Sequence, residues 1–354
     1  LKGKHINIPQ DNDLLRMIHR KVSKGLAIDA KQTRWMLSAK FAFYLSLLSV
    51  SYLGIYKIDN EFLFVVCFVC YGYSGLLLAF NFAHDLSHGT VFRKSLWNDC
   101  GFIFIYALNG AHGEAWQKRH VESHHFAPNV ENYDTDLEIS KLIRVIPNSK
   151  HYWFHKYQHM YAPLAYSTYS LYWVFIKDFV VYFENLRSRR IAYHFSFWTQ
   201  KVFYVMYLVI FPIMFSVQSW PTVLVGFLSM HLLQSLFLLF TFFMTHHVEG
   251  LQYPETTTDG YIKTSWIMNQ IKSSNDMYPH SSLANFVFGG FNNHIAHHLF
   301  PHIHHIHYPD LNKILYDVLI QNGITPNQTT YWGGICSHLR HLKSMSHNVV
   351  IGTR

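Results

Sequence analysis

The residues best suited to chemistry are three histidine clusters: His84-Asp85-Leu86-Ser87-His88, His120-Val121-Glu122-Ser123-His124-His125 and His294-Ile295-Ala296-His297-His298. Side chains four apart share one face of a helix, and those three apart nearly do. Each cluster can therefore aim two or three imidazoles at one point. Eight imidazoles are too many for one metal ion and suit two. Imidazole binds Zn, Cu, Fe and Ni, and no thiolate stands nearby to bias the site toward Cu(I) or an iron–sulfur cluster. A carboxylate-type di-iron bundle needs two Glu-x-x-His pairs on facing helices, and only Glu122 to His125 fits. No His-Glu-x-x-His of the zinc proteases occurs. The pattern reads as an all-nitrogen dinuclear centre.

The positioning elements follow from composition. Half the residues are apolar and 14% are charged, against about 25% charged in an average soluble domain. Runs long enough to cross a bilayer, about 20 residues, occur at residues 36–56, 61–82, 197–220 and 221–245. Short turns at Lys57-Ile58-Asp59-Asn60 and around Gln218 to Pro221 make these two hairpins. The expected fold is all-α: an integral membrane protein with four transmembrane helices, interfacial helices and a cytoplasmic histidine-rich metal-binding cap. Because the clusters lie far apart in sequence, residues 1–354 read as one domain. Its parts are a tail (1–35), the first hairpin (36–82), a region with clusters one and two (83–196), the second hairpin (197–245) and a region with cluster three (246–354).

Lys2, Lys4, Arg16, Arg20, Lys21, Lys24, Lys31 and Arg34 precede the first span, and Arg187, Arg189, Arg190 and Lys201 accompany the start of the third. By the positive-inside rule both termini and all three clusters are cytoplasmic, at a bacterial inner membrane or the endoplasmic reticulum. No cleavable signal peptide is expected from the polar N-terminus. Leu14, Ile18, Val22 and Leu26 recur at helical spacing, which suits a helix lying on the membrane or packed on the cytoplasmic region. The apolar stretches 101–108 and 161–183 read as interfacial or re-entrant. Cys67, Cys70, Cys100 and Cys336 imply packing rather than a disulfide framework.

The histidine clusters resemble those of the integral-membrane fatty acid desaturases, whose three boxes run H-x-x-x-H, H-x-x-x-H-H and H/Q-x-x-H-H. The resemblance spans about Leu14 to Lys343. It includes Trp266, Gln270, Asn275, Asn285, Gly289-Gly290-Phe291-Asn292, His297-His298-Leu299-Phe300-Pro301 and His338-Leu339-Arg340-His341-Leu342, as in the bacterial acyl-CoA and front-end branch. Front-end members usually have Gln where this chain has His294, and Glu where it has Ala296. The resemblance implies a ninth ligand after the last span, at His247 in preference to His246. With His84, His88, His120, His124, His125, His294, His297 and His298 it would hold two irons, with dioxygen as co-substrate. Asp85, Glu122, His246 and Asn293 are candidates for supporting that shell, and so are Asp134 and Asp136. His302, His304, His305 and His307 read as interfacial or supporting, and His112, His151, His155, His159, His231 and His280 as structural.

Three functions remain open. The first is desaturation of a fatty acyl-CoA or acyl-lipid, placing a cis double bond on the front-end side. The second is hydroxylation or ketolation of a lipid or carotenoid. The third is a non-enzymatic haem carrier or metal transporter, which should bury ionisable groups in its spans; here His231 is nearly the only one expected. The net charge of +8 suits an anionic CoA thioester or phospholipid surface, with membrane lipids and no nucleic acid as partners. The sequence contains no His-Pro-Gly-Gly haem motif, no glycine-rich dinucleotide fingerprint and no cysteine cluster. The two electrons per turnover are therefore expected from a separate donor, ferredoxin or cytochrome b5 with its reductase.

Overall fold

The computed structural model describes residues 4–137, 141–187 and 190–346, the side chains of Ala115 and Asp136 excepted. The expectations placed on Lys2, Arg189 and the Asp136 carboxylate lie outside the described residues. Where the sequence suggests one continuous domain, the chain divides into two compact units, each assembled from separated segments. One comprises Asp29–Gln117 and Leu164–Leu239, the other Leu1–Ile28, Lys118–Pro163 and Phe240–Arg354.

The first unit is a bundle of apolar helices. Four helices are long and apolar enough to cross a membrane: Ala30–Lys57, Glu61–Ser87, Ile191–Phe215 and, running on into the second unit, Trp220–His246. Each has 25 to 28 residues, roughly 40 Å at 1.5 Å per residue, which exceeds the ~30 Å hydrocarbon core. The first hairpin begins where the Asp29 carboxylate accepts the Lys31 and Gln32 N–H groups at 2.7 and 2.8 Å, an N-cap that satisfies two orphan donors. Asn60 caps the second helix through Leu63 N–H at 3.0 Å, which fixes the turn. The third span departs from expectation, beginning at Ile191 and ending at Phe215 because Ser216 adopts extended backbone (ψ 165°). The Gln218 amide donates to Ile58 O at 3.1 Å, tying the two hairpin turns together at one end.

Two buried lysines correct the expectation that His231 is nearly the only ionisable group within the spans. Lys40 lies in the first span and Lys201 in the third. Lys201 Nζ is 2.6 Å from Asp178 Oδ2 and also donates to Gly110 O at 2.7 Å and Val174 O at 2.8 Å. Asp178 further accepts His112 N–H and Trp173 Nε1–H. A buried ion pair survives desolvation only with its remaining valences filled in this way. The stretch 161–183 is not among the four helices long and apolar enough to cross: it breaks at Thr168 and runs on through a π turn, Trp173–Lys177. The stretch 101–108 belongs to a helix of 14 residues, Ser95–Leu108, too short to cross.

The second unit carries most of the histidines. Helix Pro9–Gly25 buries Leu14, Ile18 and Val22 against Ile267, Ile271, Ile295, Leu299, Leu311 and Leu315. Of the two roles open to it, packing on this unit is the one observed. Each such side chain contributes about 1.5–3 kcal/mol when fully buried. Two short parallel strand pairs add order: Lys4–His5 with Tyr261–Ile262, and Asn275–Met277 with Asn327–Thr329. All four cysteines are free.

Candidate metal centre

Within the second unit His124, His246, His294 and His298 are buried and bring ligand nitrogens within 4.8 Å of one another. His246 Nε2 lies 2.9 Å from His124 Nε2, 2.6 Å from His294 Nε2 and 3.2 Å from His298 Nε2. The approaches of His246 to His124 and His298 are not ordinary hydrogen bonds, because the opposite ring nitrogens of all three fix their tautomers. His124 Nδ1–H donates to Asp134 Oδ2 at 3.0 Å, His246 Nδ1–H to Ser273 O at 2.8 Å, and His298 Nδ1–H to Gln270 Oε1 at 2.8 Å. Each neutral imidazole carries one proton, so these three Nε2 atoms present lone pairs. Lone pairs aimed at one another repel unless a positive charge stands among them. The donor set therefore fits an imidazole-preferring divalent metal. His298 is held well below the usual histidine range, first by burial and then by neighbouring His125, as a ligand that must stay neutral requires.

Local structure explains the convergence. His120–His124 form a π turn closed by His125 N–H to His120 O at 3.1 Å. This i→i+5 closure widens the turn and brings positions i, i+4 and i+5 to one side, the spacing of the second cluster. Asp134 is delivered by a loop in which Asn129 and Asn132 take positive φ (60° and 68°), tolerated by Asn. Asn129 N–H donates to Asp134 Oδ2 at 2.9 Å, and its side chain reaches His246 O at 2.9 Å. The third cluster forms the short helix His294–Leu299. Asp276 accepts Ile295 N–H and Tyr316 O–H, both at 2.9 Å, and burial pushes its carboxyl up to about 7 against those bonds. Gly290 has φ +90°, and a Cβ there would meet His305 Cβ at 2.7 Å, so only glycine fits.

The remaining cluster histidines divide between the units. His120, His125 and His297 gather in the second: His125 Nε2 is 3.2 Å from His120 Nε2, and the His125 and His297 rings are 4.5 Å apart. His84 and His88 end the second span in the bundle unit, their rings 5.2 Å apart. A π turn, Ala79–Ala83, closed by His84 N–H to Ala79 O, leads into them.

Several supporting residues differ from expectation. His246, the last residue of its helix, faces the cluster. His247, expected to do so, is instead bonded through Nδ1 to Tyr253 O–H at 3.0 Å, and its carbonyl accepts His338 Nδ1–H at 2.7 Å. Glu122 is exposed, because the π turn that gathers positions 120, 124 and 125 turns position 122 away. Asn293 touches no imidazole through its side chain: its amide bonds Asn285 at 2.9 Å and Asn312 at 2.7 Å, anchoring the third-cluster helix. Asp85 is buried, but its Oδ1 is 4.0 Å from His84 Nδ1, beyond hydrogen-bond reach. His304 and His305 are buried with rings 4.6 Å apart, and His302 is exposed. Gln270 and Ser273 were missed as supports. Gln270 stands in the motif quoted above, but a backbone carbonyl such as that of Ser273 leaves no trace in side-chain types.

Residues 60–330 match the family described as fatty acid desaturase. An acyl-lipid (8-3)-desaturase of Physcomitrium patens is 31% identical over 273 residues, 74% of this chain and 56% of that protein. The chain thus spans little more than half of that relative's length. Acyl-lipid (8-3)-desaturase B of Dictyostelium discoideum is 28% identical over 98% of this chain and 77% of its own. An sn-1 linoleoyl-lipid 6-desaturase of Arthrospira platensis is 27% identical over 78% and 76%.

Proposed function

This chain belongs to the fatty acid desaturase family, and from that premise we propose that it is a membrane enzyme using dioxygen and two irons to introduce a cis double bond into an acyl chain. The observation that carries the reading is the set of three imidazoles whose tautomers are fixed from behind, with Nε2 lone pairs converging on one point. Iron, when bound, supplies the oxidising power that unactivated C–H bonds demand and acid–base side chains lack. His124, His246, His294 and His298 would hold one ion. The count of cluster histidines in the sequence leaves enough imidazoles for a second ion, to which His120, His125 and His297 of the histidine unit would contribute. Asp134 accepts the His124 proton, which raises the basicity of its Nε2 and fixes the ring plane. Gln270 and the Ser273 carbonyl orient His298 and His246 in the same way.

The substrate is a fatty acyl chain on CoA or on a lipid. The names of the relatives support the acyl-lipid form and front-end insertion. Ferredoxin or cytochrome b5 with its reductase would supply electrons. The Lys/Arg asymmetry of the sequence supports a cytoplasmic position for both termini and the histidine unit. Expression in a host lacking polyunsaturated lipids, followed by fatty acid profiling, tests the activity. New double bonds on the carboxyl side of existing ones are expected. Hydroxylated products, or bonds only on the methyl side, would overturn the reaction or the front-end assignment respectively.

A further inference from the structure

In residues 141–163, within the histidine unit, several positions invert the usual pattern, although Val145 and Ile146 are buried. Three of their polar side chains are buried: Arg144 is 5% exposed, His155 2% and Gln158 0%. The large apolar side chains Leu142, Trp153, Tyr157 and Met160 are 54%, 81%, 50% and 70% exposed. The inversion is held by hydrogen bonds. Arg144 donates from Nε to Ser149 O at 2.9 Å and from Nη1 to Met345 O at 2.7 Å. Gln158 accepts Arg144 N–H at 2.8 Å and donates to Leu342 O at 2.8 Å. His155 Nε2–H donates to Lys141 O at 2.9 Å. The segment is thus fastened at the end of helix Tyr331–Ser344 by its polar groups and presents Leu142, Trp153, Tyr157 and Met160 outward.

Trp153 opens and Tyr157 closes the 3₁₀ turn Trp153–Tyr157, and Met160 stands three residues on in the helix Gln158–Ser167, so three large exposed side chains lie close together in the chain. Exposed Lys141, Lys150 and Lys156 accompany them, and residues 141–163 contain no Asp or Glu. Lys150 and Lys156 lie over the Tyr152 and Tyr157 rings, 5.2 and 5.5 Å from their centroids.

We propose that this face seats in the headgroup layer of an anionic leaflet, a monotopic attachment of the histidine unit additional to the spans. An exposed apolar patch rimmed by charge marks an interaction surface. Trp and Tyr settle at headgroup depth, and lysines extend from apolar stems to phosphate. The cations favour lipid over a protein partner, because protein interfaces deplete Lys and enrich Arg, and here every exposed cation is Lys while the one Arg is buried.

The test uses the full chain in vesicles of phosphatidylcholine alone or mixed with phosphatidylglycerol. The emission of Trp153 is taken as the difference between the wild type and Trp153→Phe. In the mixed vesicles it should be blue-shifted, quenched by lipids brominated near the headgroup and shielded from aqueous iodide. In Lys150→Glu/Lys156→Glu the phosphatidylglycerol dependence should be lost, while the protein still floats with the vesicles. A Trp153 signal open to iodide and indifferent to brominated lipid overturns the proposal. Shielding that arises only on adding a soluble acidic redox protein overturns it too, and assigns the face to a protein.

Discussion

Two regions bury histidine with similar thoroughness and to opposite effect. In the span bundle, His231 is 0% exposed; its Nδ1 meets Ser170 Oγ at 2.7 Å and its Nε2 meets Tyr204 O–H at 2.9 Å. Both nitrogens end on hydroxyls, which can donate or accept, so the ring is closed off and serves packing. In the histidine unit the outer nitrogens of His124, His246 and His298 end on groups that accept, and their inner nitrogens are left aimed at one another. Burial alone therefore does not distinguish a ligand. What distinguishes it is an acceptor behind the ring that leaves a lone pair in front.

The sharpest way to break this contrast is to exchange its two ends. His246→Ala should abolish turnover and strip iron from the site, lowering metal affinity by at least ~100-fold, since even supporting residues are worth 10–100-fold. His231→Gln and His247→Ala should each retain iron, measured by metal analysis after anaerobic loading. Iron loss in His247→Ala with retention in His246→Ala would reverse the assignment made here. Asp134→Asn comes next: it removes the negative charge from the acceptor behind His124, leaving only a neutral amide oxygen, and should weaken metal binding by about 10–100-fold in a chelator competition, with the fold intact by circular dichroism.

A pH experiment extends the comparison to His338, whose buried ring is pushed down to about 3 by desolvation. Below the ordinary histidine value of about 6.5, the unfolded chain takes up a proton that the folded chain refuses. Stability is therefore full above that value and declines as pH falls toward 3, by up to about 1.4 kcal/mol per pH unit. Unfolding of the solubilised protein against pH should show this slope, and His338→Gln should flatten it. The smallest effect belongs to Glu122→Gln, on the exposed side of the π turn, expected to change stability by no more than ~0.5 kcal/mol and to leave iron content unaltered. A large effect there would mean that this carboxylate takes part in the site.

The boxes and the spans were legible because they rest on residue type at short range: imidazoles at i, i+4, and apolar runs of sufficient length. What was not legible rests on backbone geometry. Whether His246 or His247 turns inward depends on which of two adjacent residues ends a helix, a matter of one residue. Glu122 is a candidate support by its residue type and its place inside the box, and the turn points it outward. Asp134 could be nominated, but its reach to His124 depends on a loop with two left-handed Asn residues. Lys201 was counted among the flanking cations, and its burial became intelligible only with the Asp178 carboxylate and two carbonyls around it.

The π turn at His120–His124 also bears on how this chain can vary. In a regular helix, residues five apart point about 140° away from one another, so the second box has no α-helical equivalent that keeps His120 beside His125. Its length is therefore indivisible. The segment can exchange exposed Val121 or Glu122 for other residues, but gaining or losing one would break the register that keeps His120 beside His125. Within this stretch a change of register is a heavier mutation than a change of side chain.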